Sequence, residues 1–73
     1  MSELEIIQEL SKISTDLFER RLVAREGKHL DILVHDISWR VRAEVAKQGY
    51  GLEILVNDPE ALVRRIARKK LEV

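Results

Sequence analysis

The chain is predicted to be all-α, a short α-solenoid of three helical-hairpin units forming a single domain over residues 1–73. Three observations predict it. The sequence copies itself every 22 residues, so that Leu30-Asp-Ile-Leu-Val-His-Asp36 returns as Leu52-Glu-Ile-Leu-Val-Asn-Asp58, and Val23-Ala24, Gly27 and Leu30 return as Val45-Ala46, Gly49 and Leu52. A fixed period near two dozen residues marks units that bury their apolar faces against one another. Apolar residues also recur at helical spacing, and glycines stand where those stripes stop. The units fall at about 1–29, 30–51 and 52–73.

Each element follows in order. Ser2 before Glu3-Leu4-Glu5 reads as a helix start with Glu5 in the capping-box position, and Ile6, Leu10, Ile13 and Leu17 form the stripe of a helix over about 3–13. Ser14-Thr15-Asp16 offers caps for a second helix over about 15–26, which Gly27 stops. Leu30–Val34 is apolar enough for a strand, but it sits between a helix stop and an aspartate cap in a helical repeat. One or two helical turns fit that setting better. Asp36 is expected to cap a helix over about 37–48 striped by Ile37, Val41 and Val45, followed by a Gly49-Tyr50-Gly51 turn. Asn57-Asp58-Pro59 places a cap before a proline at the first position of a helix over about 59–71, with Leu62, Val63, Ile66 and Ala67 on its apolar side.

Composition bounds what such a domain can do. The core must be aliphatic, since apolar residues make up 45% of the chain and only three are aromatic. With no cysteine, disulfides, thiolate metal sites and cysteine nucleophiles are excluded. No apolar run approaches the roughly 18 residues a bilayer span requires, and the N-terminus lacks the pattern of a signal peptide. A cytoplasmic location without membrane contact is the expectation. Thirteen basic and thirteen acidic residues cancel, yet residues 1–19 carry net −4 and residues 20–73 net +4.

At Asp36…Val41-Arg42…Val45-Ala46 and Asp58-Pro59…Val63-Arg64 the chain resembles the HEAT-like helical repeats. Its short period and its Leu-x-x-Leu-Val-x-Asp-Pro-x-x-x-Val-Arg wording are most similar to the leucine-rich-variant branch. Trp39-Arg-Val-Arg-Ala-Glu-Val-Ala-Lys-Gln-Gly-Tyr-Gly51 also resembles arrays of short bacterial repeat proteins. The resemblance covers residues 30–73 well and 15–29 in part. It implies a right-handed solenoid that acts as a scaffold. The iron–sulfur module carried by some leucine-rich-variant proteins needs a cysteine cluster that is missing here. Lys69-Lys70-Leu71 stands where Gly-Tyr-Gly would recur, which implies that the array stops there. The third unit shows no obvious polar cap, so its stacking face is open to solvent, a second copy or a partner.

Arg20, Arg42 and Arg64 lie 22 apart and invite a phosphate-binding reading. A structural ladder is preferred. Asp36 and Arg42 are six apart, as are Asp58 and Arg64, and in HEAT-like folds that pair ties neighbouring units together. A capping aspartate can accept both backbone N–H groups and a guanidinium from the adjacent unit. Arg40, Lys47, Arg65, Arg68, Lys69 and Lys70 form a second basic series on the outer parts of the longer helices, read either as helix-end cations or as a binding patch. Trp39, one turn before Ala43, is expected to pack over small residues, or else to serve as an interface anchor. Tyr50 is expected to be half-buried. His29 and His35 match no zinc spacing, and no metal or cofactor is expected.

No catalytic constellation is recognisable, so an enzyme is not expected. The leading expectation is a non-catalytic module binding a protein partner through Trp39, Arg40, Ala43 and Lys47 of the middle unit and Arg65, Arg68 and Lys69 of the third. Nucleic-acid binding on the basic side is the alternative. Self-association through the third unit, or a small phage-type inhibitor by analogy, comes after it.

Overall fold

The computed structural model describes residues 2–72. Six helices make up the fold: α1 (Glu3–Ile13), α2 (Leu17–Arg25), α3 (Leu30–Leu33), α4 (Trp39–Lys47), α5 (Leu52–Leu55) and α6 (Ala61–Leu71). There is no strand among the described residues. The long helix α4 lies against both α2 and α6, while α1 lies against α3. Leu30–Leu33 and Leu52–Leu55 are each a single helical turn, and their Leu33 and Leu55 are among the largest fully buried side chains. The core adds Leu10, Ala24, Val34, Val41, Ala43, Val45, Ala46, Val63 and Ala67.

Local chemistry explains the boundaries. Ser2 caps α1 by accepting Glu5 N–H, and its hydroxyl donates to the Glu5 carboxylate, a side-chain contact in place of the backbone half of the expected capping box. Past α2, Gly27 at φ 76° donates its N–H to Ala24 O, and Lys28 N–H reaches back to Val23 O. Gly49 repeats both bonds after α4, to Ala46 O and, from Tyr50 N–H, to Val45 O. These are Schellman stops, which need a left-handed residue after the cap.

The aspartates behave differently from expectation. The caps of α4 and α6 are Ser38 and Glu60, not Asp36 and Asp58, so Pro59 precedes the helix and does not open it. Asp36 Oδ1 accepts Ser38 N–H at 2.9 Å and Asp58 Oδ1 accepts Glu60 N–H at 2.9 Å. Each aspartate thus closes an Asx turn that delays helix entry by two residues. Ile37 falls in that turn and is 65% exposed, so it leaves the stripe that Val41 and Val45 keep.

Gly51 sits at φ 64° at the start of α5, and a Cβ there would meet Val34 Cγ2 at 2.7 Å. Its repeat counterpart His29 adopts φ 55° without a glycine. Gly51→Ala is expected to cost about 2–3 kcal/mol, from left-handed strain plus overpacking. Gly49 has open space around it, so Gly49→Ala should cost only about 1 kcal/mol, the conformational part alone. Urea midpoints of the two variants measure the difference.

Candidate interaction face

Three arginines organise the space between the long helices. Arg20 on α2 gives Asp36 a forked pair, Nε to Oδ2 at 2.7 Å and Nη2 to Oδ1 at 3.3 Å. Arg42 on α4 repeats it on Asp58, at 2.7 and 3.2 Å. The third guanidinium nitrogen donates to a backbone carbonyl six residues back: Arg20 Nη1 to Ser14 O, Arg42 Nη1 to Asp36 O, and Arg64 Nη1 to Asp58 O at 2.6 Å. The six-residue spacing therefore links each arginine to a carbonyl. The carboxylate partner is instead 16 residues downstream, Asp36 for Arg20 and Asp58 for Arg42. Both aspartates are buried, at 1% and 6% exposure, and each spends its oxygens on a guanidinium and a turn N–H.

A second cluster was not expected from the sequence. Glu44 on α4 is 3% exposed and faces Arg25 at 3.2 Å, Lys47 at 3.5 Å and Arg21 at 3.8 Å. Burial pushes the Glu44 carboxyl up, but the Arg25 hydrogen bond and the charges of Lys47 and Arg25 outweigh it, holding the group below its ordinary value. A lowered carboxylate pKa contributes stability above the unfolded-state value, and that stability is lost as pH falls through the folded value. Glu44→Gln should therefore flatten the acid limb of stability against pH below the ordinary glutamate range, with urea midpoints as the readout. A signal for this cluster was present in the sequence. The flanking repeats hold Leu22 and Ile66 at the Glu44 position.

The seven expected contact residues divide between two neighbouring depressions. Trp39, Arg40, Ala43 and Lys47 line a groove of about 220 Å³ together with Arg21, Glu44, Leu62 and Ile66. Ala43 is 6% exposed, so it forms the floor of that groove and offers no exposed contact. Trp39 is half-buried against the core, with the Arg40 guanidinium 4.9 Å from its ring centroid. That stacking is a cation–π contact and covers part of the ring. Lys47 is held by Glu44. Arg65, Arg68 and Lys69 line a second, open depression of about 510 Å³ with Ala61, Arg64 and Glu72.

The α6 side carries exposed charge where α4 carries small apolar residues. Arg65 and Arg68 stand at the repeat positions of Ala43 and Ala46, which are buried in α4. Seven of the thirteen Lys and Arg side chains have an ion-pair partner among the described residues. The other six are Arg40 and the five cations of α6. His29 and His35 are exposed, Tyr50 is about half-buried at 41% exposure, and no cluster with metal-ligand character occurs among the described residues. No described helix is long and apolar enough to cross a membrane. Comparison with known protein families, with characterised proteins and with solved structures returns no match to this chain.

Proposed function

We propose that the protein is a non-catalytic protein-binding module, a right-handed solenoid of three HEAT-like units that holds an acidic partner against α4 and α6. One observation carries this reading. Among the described residues, the cations without a carboxylate partner are all on these two helices, and five of them crowd one helix with no acidic residue of its own. Cations elsewhere are matched to carboxylates within the fold. Unmatched like charges on one helix repel each other, so an acidic surface that relieves the repulsion gains both affinity and association rate. The groove at Trp39, Leu62 and Ile66 adds apolar area beside those charges. A cytoplasmic location accords with this reading.

The test compares the native protein with the triple variant Arg65→Glu, Arg68→Glu, Lys69→Glu as bait in nuclease-treated extract. A discrete partner retained by the native bait and weakened at least about tenfold by the reversal is expected. Equal retention by both baits rules out the α6 face. The same cations favour nucleic acid as a second reading, which predicts a gel shift at about 50 mM salt that disappears by about 200 mM. Net charge zero counts against it.

A further inference from the structure

The groove along α4 is apolar in its middle and cationic towards both ends of the helix. Arg40 stands in the first turn of α4 and Lys47 in the last, while Trp39, Leu62 and Ile66 wall the groove above the buried Ala43. Stacking on Trp39 holds the Arg40 guanidinium in place, 4.9 Å from the ring centroid. Charge within the groove does not balance. Glu44 Oε1 is the one carboxylate oxygen that faces Arg25, Lys47 and Arg21, at 3.2, 3.5 and 3.8 Å. Of the residues that line the groove, the three cations Arg21, Arg40 and Lys47 against the single carboxylate of Glu44 leave a net +2. An apolar slot set between uncompensated cations is complementary to an apolar anchor set between two anions.

We infer that this groove binds an acidic amphipathic helix of a partner protein, seating an apolar side chain over Ala43 between acidic residues seven apart that meet Arg40 and Lys47. The inference rests on the protein-binding reading and adds the partner's chemistry. Spacing selects a helix. Arg40 and Lys47 are seven residues apart, about 10.5 Å along the axis of α4. A second helix laid alongside repeats that distance between its own residues seven apart, which share one face. A strand presents same-face residues at about 6.7 or 13 Å, and neither spacing matches both cations. Between those cations a phosphodiester backbone would meet aliphatic walls and the Glu44 carboxylate. A second copy of the chain is also mismatched. Its acidic helix α1 carries Glu3, Glu5 and Glu9, no two of them seven apart, and Lys12 stands seven after Glu5.

The test uses the full chain, isotopically labelled, in which Trp39 is the only tryptophan and gives a single indole N–H resonance. The probe is a capped alanine–glutamine peptide of about sixteen residues, long enough to hold a helix. It carries two glutamates seven apart and leucines at the two positions midway, so that it fits in either direction. Saturable movement of the Trp39 indole and Arg40 Nε–Hε resonances is expected, with the Arg20 and Arg42 resonances unmoved. Glutamine in place of both glutamates, or alanine in place of both leucines, should weaken the response at least about tenfold. Arg40→Gln should weaken the glutamate peptide about fivefold and leave the glutamine peptide unchanged, a difference that a damaged fold does not produce. Equal response to the glutamine or the alanine peptide overturns the inference. Movement of Arg65 and Arg68 with Trp39 silent also overturns it and leaves the protein-binding reading standing. Silence throughout overturns it as well, while the bait comparison, whose substitutions lie outside this groove, judges the module separately. A tighter response to a short oligothymidylate reassigns the groove to nucleic acid. Movement of Trp39 on concentrating the protein alone reassigns it to a second copy.

Discussion

Arg20→Ala is expected to destabilise the fold by about 3–5 kcal/mol, because it strands the buried Asp36 carboxylate without its countercharge. Asp36 is 1% exposed and has no route to water that would replace two guanidinium bonds. A domain of this length has a total stability of about 4–10 kcal/mol, so the variant should sit near the edge of folding. A fall in melting temperature of roughly 15–30 °C follows from the entropy of unfolding a chain this small. The three rungs should then differ in order. Arg42→Ala strands Asp58, which is 6% exposed, and costs somewhat less. Arg64→Ala strands no carboxylate among the described residues and should cost about 1 kcal/mol, the value of its single bond to Asp58 O. A further control separates stranded charge from lost attraction. Arg20→Met combined with Asp36→Leu should recover much of the loss, since a buried ion pair replaced by packed apolar groups is often near neutral. Equal melting curves for the three alanine variants would disprove the ladder.

That gradient also shows where periodicity stops being informative. A repeat of 22 residues says which side chains form a row, so Arg20, Arg42 and Arg64 were visible as equivalents. It does not say which two rows bond. The aspartate six residues before each arginine looked like its partner, but the turn from Asp36 to Ser38 directs that carboxylate back to the preceding long helix and offers only a carbonyl forward. The same turn explains why α4 and α6 begin two residues later than expected, and why Ile37 faces water. Where the backbone itself carried the signal, the reading was close. The bounds of α1 and the stop at Gly27 needed only a capping serine and a left-handed glycine. Glu44 illustrates a different gap. A lone charge in an apolar row was legible as an exception, but its three cationic neighbours come from α2 as well as α4, and that meeting needs tertiary structure.

The largest loss from a single apolar side chain is expected at Leu33, where Leu33→Ala should cost about 2–5 kcal/mol through lost transfer energy and the cavity it leaves. Leu33 is 0% exposed and belongs to a helix of four residues. One turn of helix closes too few hydrogen bonds to offset its own ordering, so such a segment holds its shape only while its side chain is packed. That is also why Leu30–Val34 was ambiguous by composition: an apolar run this short has no period of its own, and the core decides its conformation. Loss of the Leu33 side chain should therefore loosen α3 as a unit and expose amides from His29 to His35 to faster hydrogen exchange. Leu55→Ala should behave the same way in α5, since Leu55 is 1% exposed. Ile54 is the internal control, 47% exposed on the same turn, and Ile54→Ala should cost under about 1 kcal/mol. Urea melts together with exchange rates at α3 and α5 decide the matter. A Leu33→Ala protein that melts like the Ile54→Ala protein would mean that the short helices are carried by their neighbours, and that the row of long helices α2, α4 and α6 stands without them.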